Sequence, residues 1–455
     1  MKKDLSNWMT ILMVAILGIC FASCGDDNDK TTLETNEITI LGTWYGIEGA
    51  DVVSYQYNAD GTGIFSYGDV MVKFSYSYDA NAKRLTQTVM GESFVYEITT
   101  LTADLMVGKN IVSGGIRTFT RQEPEKPLFV KDGTLYVNVY EAGVFPDLID
   151  GRKTSTTRMK ISGSLNGTDI RCLRDMMISE KGGNLAYLDM SDASIVEGGG
   201  TFYPHNNPGK YNDDDYVTQK DIISKCMFEY CDAIKELILP NSVRKISHYM
   251  FGYSWNTQIR SITIGRSVTG SIDHDDIDVQ ESLDVLAWMD KLEEINVHAD
   301  NQKYSAENGV LYNKDKTTLY HVPQKFQRNL SLPNSVISIG GSAFLYYNAS
   351  SIKLPSSVRI LRNRAFWHSQ FKTIDLGYVE EIENQVFMNS DNLQEIHISS
   401  PTPPVASSDV KSCEDVFSRY YSAPDFRNIK LYVPKGSKEK YASTIPWSEL
   451  NIIEN

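Results

Sequence analysis

Pairs of apolar residues recur every 22 positions in the C-terminal half of the chain. The first members of the pairs are Leu330, Ile352, Ile374 and Ile396, and one residue separates the two members of each pair. A fixed period of this length is typical of a solenoid, in which each repeat packs against its neighbours. Because one repeat cannot cover its own apolar side, the pattern predicts a stack of repeats with a regular core at 330–398.

A second phrase, V-x-x-[I/L]-x-x-x-x-F, follows each apolar pair, as in Val358, Leu361 and Phe366. The 22-residue spacing leaves room for a short strand and a return arm that crosses the core. Similar pairs occur outside the regular core, and the longer spacings between them predict insertions in loops. These additional pairs are Leu237/Leu239, Ile262/Ile264, Ile295/Val297 and Leu431/Val433.

Polar residues alternate with the apolar pairs. Since side chains alternate across a strand, these polar residues are predicted to form columns on the outer face of one continuous sheet. The face is a candidate recognition surface, and the alternative is a solvated face that binds nothing. Its candidate residues are Glu294, Asn296, Asn329, Ser331, Ser351, Lys353, Thr373, Asp375, Glu395 and His397.

The pattern changes to strict alternation in residues 37–122, for example in Val53, Tyr55 and Tyr57. Several such runs, separated by turn residues such as Asp60-Gly61, predict an antiparallel meander that is closed or nearly closed into a small barrel. A barrel of this size is expected to be filled by its own side chains, and the alternative is a ligand cavity. The proposed filling residues are Trp44, Tyr55, Tyr76 and Phe94. Pro124 and Pro127 predict a stiff linker at 123–127, followed by the repeat domain at 128–455.

The first 24 residues have the features of a signal peptide: Lys2 and Lys3, then an apolar run at 9–21 that is too short to span a bilayer comfortably. The run ends at Phe21-Ala22-Ser23-Cys24, which resembles the lipobox of bacterial lipoproteins and implies that Cys24 is the lipid-attachment residue. Secretory cleavage without lipidation is the alternative. The acidic stretch that opens the tether at 25–36 resembles the surface-export signal of Bacteroidetes lipoproteins.

Two further resemblances concern the folded parts. Gly42-Thr43-Trp44, followed by meander strands, is similar to the lipocalin-like domains of Bacteroidetes lipoproteins. Leu165-Asn-Gly-Thr-Asp-Ile170, Asn308-Gly-Val-Leu-Tyr312 and the repeated phrases resemble BspA-like leucine-rich repeat proteins. Together they imply a mainly β chain, with a lipocalin-like antiparallel β-barrel and then a right-handed solenoid of 22–23-residue repeats. The implied role is recognition or adhesion at the cell surface, on the outer membrane.

Composition limits the possible functions. The net charge of −14 and the isoelectric point near 5.1 argue against nucleic acid as a partner. Membrane contact is expected only through the N-terminal lipid. Cys172, Cys226, Cys231 and Cys413 match no zinc spacing, which favours buried thiols, with a Cys226–Cys231 disulfide as the alternative.

No motif for catalysis, a metal or a cofactor is found. The acidic runs at 213–215 and 274–276 lack the spacing of a calcium loop and are interpreted as solvated loops. The leading hypothesis is a non-catalytic, lipid-anchored surface protein whose solenoid binds a protein or glycan on a host or neighbouring cell. The alternative is a small-ligand carrier, in which the barrel binds the ligand and the solenoid is a rigid stalk.

Overall fold

The computed structural model describes residues 38–124, 126–203, 216–252, 257–272, the backbone of 278–280, 283–419 and 426–455. The predicted signal peptide, Cys24, the tether and the acidic runs at 213–215 and 274–276 lie outside the described residues. The chain divides into two compact units, and the division lies between Val130 and Lys131. Among the described residues, no helix is long and apolar enough to cross a bilayer.

The first unit contains a closed antiparallel barrel of eight strands, as the alternating pattern predicted. Each strand pairs with the next, and Tyr45 of the first strand pairs with Thr120 of the last. The strands are β1 (Gly42–Glu48), β2 (Asp51–Tyr57), β3 (Thr62–Tyr67), β4 (Val70–Asp79), β5 (Arg84–Val89), β6 (Glu92–Leu101), β7 (Leu105–Asn110) and β8 (Ile116–Thr120).

Aromatic rings pack against one another inside the barrel. Tyr55 lies between Phe65 and Phe119, with ring centroids 4.7 and 5.6 Å away. Trp44 is fully buried, its indole N–H donates to the Ile40 carbonyl at 2.8 Å, and the Arg121 guanidinium covers its ring. Three of the four residues proposed to fill the barrel, Trp44, Tyr55 and Tyr76, are therefore buried, whereas Phe94 is half-buried against this core.

Most of the apolar pairs lie on two sheets, whose strands pair in parallel from residue 134 onwards. Anchor sheet 1 has the spatial order β19-β16-β14-β12-β11-β10-β9. Its strands are β9 (Leu128–Lys131), β10 (Thr134–Val139), β11 (Arg158–Leu165), β12 (Tyr187–Ile195), β14 (Glu236–Ile238), β16 (Ser261–Ile264) and β19 (Glu294–Val297). Anchor sheet 2 has the order β24 (Ser351–Lys353), β26 (Thr373–Gly377), β28 (Glu395–Ile398), β30 (Lys430–Val433) and β31 (Asn451–Glu454).

The return arms form two further sheets, which the repeat pattern did not predict. Return sheet 1 comprises β13 (Ile222–Ile223), β15 (Lys245–Ser247), β17 (Gly270–Ile272) and β18 (Asp278–Gln280). Return sheet 2 comprises β20 (Tyr304–Glu307), β21 (Val310–Asn313), β22 (Thr318–His321), β23 (Ser338–Ile339), β25 (Ile360–Leu361), β27 (Glu381–Ile382) and β29 (Val405–Ala406). The helices are α1 (Phe145–Leu148), α2 (Gly167–Met177), α3 (Glu414–Phe417) and α4 (Lys438–Ala442).

A ladder of phenylalanine rings runs along the core of the regular repeats. Phe344 and Phe366 stack at 5.1 Å, and Phe366 and Phe387 stack at 5.4 Å. The sequence pattern predicted this stacking. Phe417 extends the ladder at 5.2 Å from Phe387, although an insertion removes it from the regular spacing. Because each ring touches the next, a repeat gains its core contacts only when its neighbours are folded.

Candidate recognition surface

The polar columns lie side by side on anchor sheet 2. Ser351, Thr373 and Glu395 are register partners across β24, β26 and β28, and Lys353, Asp375 and His397 form a parallel column. The alternating residues Ile374 and Ile396 are fully buried. The 22-residue period therefore places the same position of each repeat in the same row of the sheet.

Opposite charges on this surface are paired between neighbouring rows. Lys353 forms an ion pair with Asp375, and Lys430 approaches Glu395 with Nζ and Oε1 3.1 Å apart. The hydrogen bond from Lys430 is the main cause that lowers the pKa of Glu395. Because each of these charges has a partner, the surface has little net charge, and shape and hydrogen bonding are expected to govern its specificity.

An aromatic stack interrupts the charged rows. The imidazole of His397 lies flat on the Tyr432 ring, with centroids 4.5 Å apart and an interplanar angle of 11°. His397 Nε2 is 3.9 Å from Glu395 Oε2. Stacked rings with a polar edge offer a partner both an apolar contact and hydrogen-bonding groups.

Glu294 and Asn296 lie on anchor sheet 1, whereas six of the other candidates lie on anchor sheet 2. Glu294 accepts a hydrogen bond from the Ser261 hydroxyl at 3.1 Å and forms an ion pair with Arg328 at 2.8 Å. Asn296 is exposed, and its amide nitrogen lies 3.4 Å from the Ser261 hydroxyl oxygen. These two candidates are thus close to each other on the last strand of anchor sheet 1.

The prediction of one continuous face is wrong at Asn329 and Ser331. Both residues are exposed, but neither lies on a strand, and Leu330 and Leu332 are only partly buried. The cause is the hairpin between β20 and β21, because its Gly309 carbonyl accepts the hydrogen bond from Ile295 N–H at 2.9 Å. The hairpin therefore occupies the edge of β19, and anchor sheet 1 ends there.

A cleft of about 620 Å³ lies where anchor sheet 1 ends. The residues that line it come from the starts of β14, β16 and β19 and from the segment 325–328. They are Lys235, Glu236, Arg260, Ser261, Glu293, Glu294, Lys325, Gln327 and Arg328. A cleft of this volume lies within the usual range of ~300–1,000 Å³ for ligand sites.

The charges in this cleft are mixed, and basic residues outnumber acidic ones by four to three. Arg260 is held by Glu293 at 3.2 Å, and Arg328 also donates to the Asn308 carbonyl at 3.0 Å. Lys235 and Lys325 are exposed. Both arginines thus have protein partners at the cleft, although their side chains are 61% and 59% exposed.

Among these lining residues, only Glu294 belongs to the candidate set derived from the sequence. Glu236 and Ser261 occupy the equivalent position before the apolar pairs that begin at Leu237 and Ile262, and Lys235 and Arg260 stand one position earlier. The contribution of Lys325 and Arg328 could not be predicted, because the fold of the 325–328 segment brings them to a strand that is distant in sequence.

The Leu165–Ile170 segment has a structural role. Asn166 caps α2, accepting from Thr168 N–H at 2.9 Å, and Asp169 accepts from the N–H groups of Asn166, Gly143 and Phe145. Burial raises the pKa of Asp169, while these hydrogen bonds act in the opposite direction. The carboxylate therefore joins the start of α2 to the loop before α1.

The four described cysteines are free and buried, in agreement with the favoured interpretation. Burial raises the pKa of Cys172 to about 11 and that of Cys226, Cys231 and Cys413 to about 12. Thiols with such pKa values are poor nucleophiles at neutral pH. Within the ranges that the structure describes, no group of three His, Cys, Asp or Glu side chains is placed to hold a metal ion.

Comparison with known proteins identifies the repeats. Residues 215–300 and 322–430 match the BspA type leucine-rich repeat region in six copies, so this part of the chain is built of BspA-type leucine-rich repeats. No curated protein matches the chain at a significant level.

Similar solved structures come from several bacteria. A leucine-rich repeat protein from Eubacterium ventriosum is 16% identical with a TM-score of 0.34, and the match covers 74% of this chain and 78% of that one. The pneumococcal vaccine antigen PcpA is 13% identical with a TM-score of 0.30, and the match covers 84% and 98%. A leucine-rich cell surface protein from Faecalibacterium prausnitzii is 16% identical with a TM-score of 0.34, and the match covers 86% and 94%.

Proposed function

We propose that this chain is a non-catalytic cell-surface protein, attached to the outer membrane through lipid on Cys24, whose repeat array recognises another protein. The observation that carries this proposal is the open surface of the anchor sheets, where polar side chains form aligned columns over a buried apolar core. Parallel repeats present such columns on a rigid support, and extended surfaces of this kind are used by solenoids for binding.

The chemistry of the surface favours a protein partner. The ion pair between Lys353 and Asp375 and the mixed-charge cleft around Arg260 alternate positive and negative groups over short distances. A folded protein, with its own mixture of charges and amides, can complement such a pattern row by row. A glycan partner is the second outcome that the binding experiment can identify.

The packing of the barrel argues against the small-ligand carrier. Tyr55, Phe65, Tyr57, Phe74 and Phe119 occupy its interior with ring-to-ring contacts, among them Tyr57–Phe74 at 5.3 Å. A carrier needs an apolar cavity of at least ~300 Å³ for a ligand of ordinary size. We therefore assign recognition to the repeat array.

A binding screen tests the proposal. Residues 25–455 are immobilised and exposed to proteins and glycans from the surfaces of host and neighbouring cells. Any ligand is then measured against Lys235→Glu/Lys325→Glu in the cleft and Lys353→Glu on anchor sheet 2, with the exposed Lys438→Glu on α4 as the matched control. We expect at least one of the first two variants to weaken binding about tenfold or more, because reversing a charge places like charges together. Equal affinity of all the variants would contradict recognition by these surfaces.

The attachment has its own test. Lipid on Cys24 supplies the membrane affinity, so Cys24→Ser should change the protein from detergent-extracted to soluble when cell fractions are compared. A Cys24→Ser protein that still fractionates with membranes would show that the attachment is assigned to the wrong group.

A further inference from the structure

One end of the barrel carries six exposed large apolar side chains, whereas at the other end Ile38, just before β1, is 57% exposed. Because neighbouring strands are antiparallel, the β1–β2, β3–β4, β5–β6 and β7–β8 loops lie at the same end. Six residues on or beside three of these loops form what we call the apolar rim. They are Val70, Met71, Met90, Ile111, Val112 and Ile116, with exposed fractions of 37, 69, 92, 46, 93 and 66%.

The loops at the opposite end provide the comparison within the same barrel. They span 58–61, 80–83 and 102–104, and they contain no apolar residue larger than alanine. Asn58, Asp60, Asn81, Lys83 and Asp104 are their polar members. Scattered apolar residues on a surface are ordinary, but a set of six concentrated at one end of a barrel is typical of an interaction site.

The backbone at Met90 does not explain why an apolar residue stands there. Met90 and Gly91 form a two-residue hairpin loop in which both have positive φ, of 48° and 89°. Asparagine or aspartate before glycine is strongly preferred in such turns. The same chain follows that preference at Asp132-Gly133 and Asn308-Gly309. Met90 is therefore a poor residue for its turn and is also 92% exposed, so its presence has no explanation in the stability of the barrel.

The loop that carries Val112 is held in a fixed conformation. The Asn110 side chain accepts hydrogen bonds from Val112 N–H at 2.9 Å and from Ser113 N–H at 2.8 Å. Asn110 itself is buried, and its backbone closes the loop by bonding to Gly114 and Gly115. Val112 thus projects from an ordered turn.

We propose that the apolar rim docks on the surface of a lipid bilayer, with the side chains of three neighbouring loops inserted between lipid headgroups. Adjacent hairpins are two strands, or about 10 Å, apart, so the rim consists of separate projections. A bilayer accommodates separate projections, whereas a rigid protein would need a matching pit for each. The segments 68–71, 90–91 and 111–116 contain no lysine or arginine and one acidic residue, Asp69, so the rim binds by apolar contact rather than by attraction to phosphate.

The length of chain before the barrel allows this docking. This step rests on the proposed lipid at Cys24, from which 13 residues (25–37) lead to the first described residue, Ile38. Such a segment can extend about 43–47 Å. The seven-residue β1 is about 24 Å long, so an anchored chain can bring the far end of the barrel to the bilayer.

Site-specific fluorescence tests the docking separately from the anchor. Since the cysteines of the folded part are buried, a polarity-sensitive dye should react selectively with an introduced Val112→Cys, or with Asn81→Cys at the opposite end as the control. The acylated protein is mixed with phosphatidylcholine vesicles over a wide range of lipid concentration. The loss of sedimentation caused by Cys24→Ser reports the anchor, and dye emission reports the rim. We expect a blue shift and quenching by bilayer-embedded quenchers at position 112 only.

Three outcomes would overturn the proposal: unchanged emission at 112 at the highest lipid concentration, equal quenching at 112 and 81, or a shift at 112 that depends on protein concentration without vesicles. The last would indicate docking between two copies of the chain. If Cys24→Ser leaves sedimentation unchanged and dye 112 still shifts, the anchor assignment fails and the rim stands.

Two substitutions with the same backbone requirement complete the test. Met90→Asn should lower vesicle affinity roughly three- to tenfold, since it removes one inserting side chain. It should keep or raise the melting temperature, because asparagine suits the positive φ. Lys83→Asn, at a φ of 49° in the opposite end, should leave vesicle affinity unchanged. If Met90→Asn binds vesicles with unaltered affinity, Met90 does not insert into the bilayer.

Discussion

The barrel and the repeat array differ in whether their sheets have edge strands. The barrel pairs β1 with β8, so that no strand of its sheet is left at an edge. Each strand of an anchor sheet depends on the next repeat for one side of its hydrogen bonding, and anchor sheet 1 ends where a hairpin takes the edge of β19. The closed sheet therefore should fold as one unit, whereas the array should respond to damage locally.

The largest effect is expected for Trp44→Ala in the barrel. Removing this fully buried indole costs about 3–5 kcal/mol, and it also removes the partners of Ile40 and Arg121. Hydrogen exchange should show loss of protection in all eight barrel strands together, while the repeats keep theirs. Loss restricted to β1 and β2 would show that closure of the barrel does not make it cooperative.

Phe366→Ala should cost a similar ~3–5 kcal/mol but over a smaller region. Its ring stacks on Phe344 and Phe387, so the loss of protection should centre on 340–390 and decline with distance along the array. The barrel serves as the internal control in the same hydrogen-exchange experiment. Equal loss from residue 131 to the C-terminus would mean that the array behaves as one cooperative unit.

The barrel strands and the phenylalanine ladder could be predicted because they depend on local periodicity. Residue spacing determines which side of a segment is buried, and Tyr55 and Phe366 are buried as their patterns required. The end of anchor sheet 1 could not be predicted in this way. Leu330 and Leu332 have the spacing of a strand, but a strand also needs a free neighbouring edge, and Gly309 already bonds to Ile295.

The residues of the candidate site also fall into two groups: those whose position follows from the repeat period, and those brought together only by the fold. Lys353, Asp375, Glu395 and His397 were placed correctly on one surface, because the period fixes their register. The cleft was missed because its lining combines three strands with the segment 325–328, and no periodicity links Arg328 to Glu294.

Acid should weaken the array before it weakens the barrel. His321 is buried, and burial lowers its pKa to about 4, below the value of 6.5 of an accessible histidine. Between these values the unfolded chain binds the proton and the folded chain does not, so stability is full above about pH 6.5 and falls as the pH decreases towards 4. The decrease due to this residue is at most about 3–4 kcal/mol.

The effect of His321 on acid stability can be measured by comparing the original protein with His321→Leu. This substitution should flatten the dependence of array stability on pH between 6.5 and 4, as followed by denaturant unfolding at each pH. Residues 38–130 contain no histidine, so the barrel transition should keep its midpoint over that interval, apart from the effect of carboxylates at its lower end. The same slope in the original protein and in His321→Leu would contradict a histidine that is buried in its neutral form.

The smallest effect on stability is expected for Lys353→Ala, on β24 of anchor sheet 2. Lys353 is largely exposed, and its ion pair with Asp375 lies on the surface, where such pairs contribute little to stability. The unfolding midpoint and the hydrogen exchange of residues 340–390 should therefore match those of the original protein. Asp375 should remain in position, because its Oδ1 also accepts from Gly377 N–H at 3.0 Å. If Lys353→Ala were as damaging as Phe366→Ala, the polar columns would be part of the core. A binding role for anchor sheet 2 would then be excluded, and recognition would have to depend on the cleft.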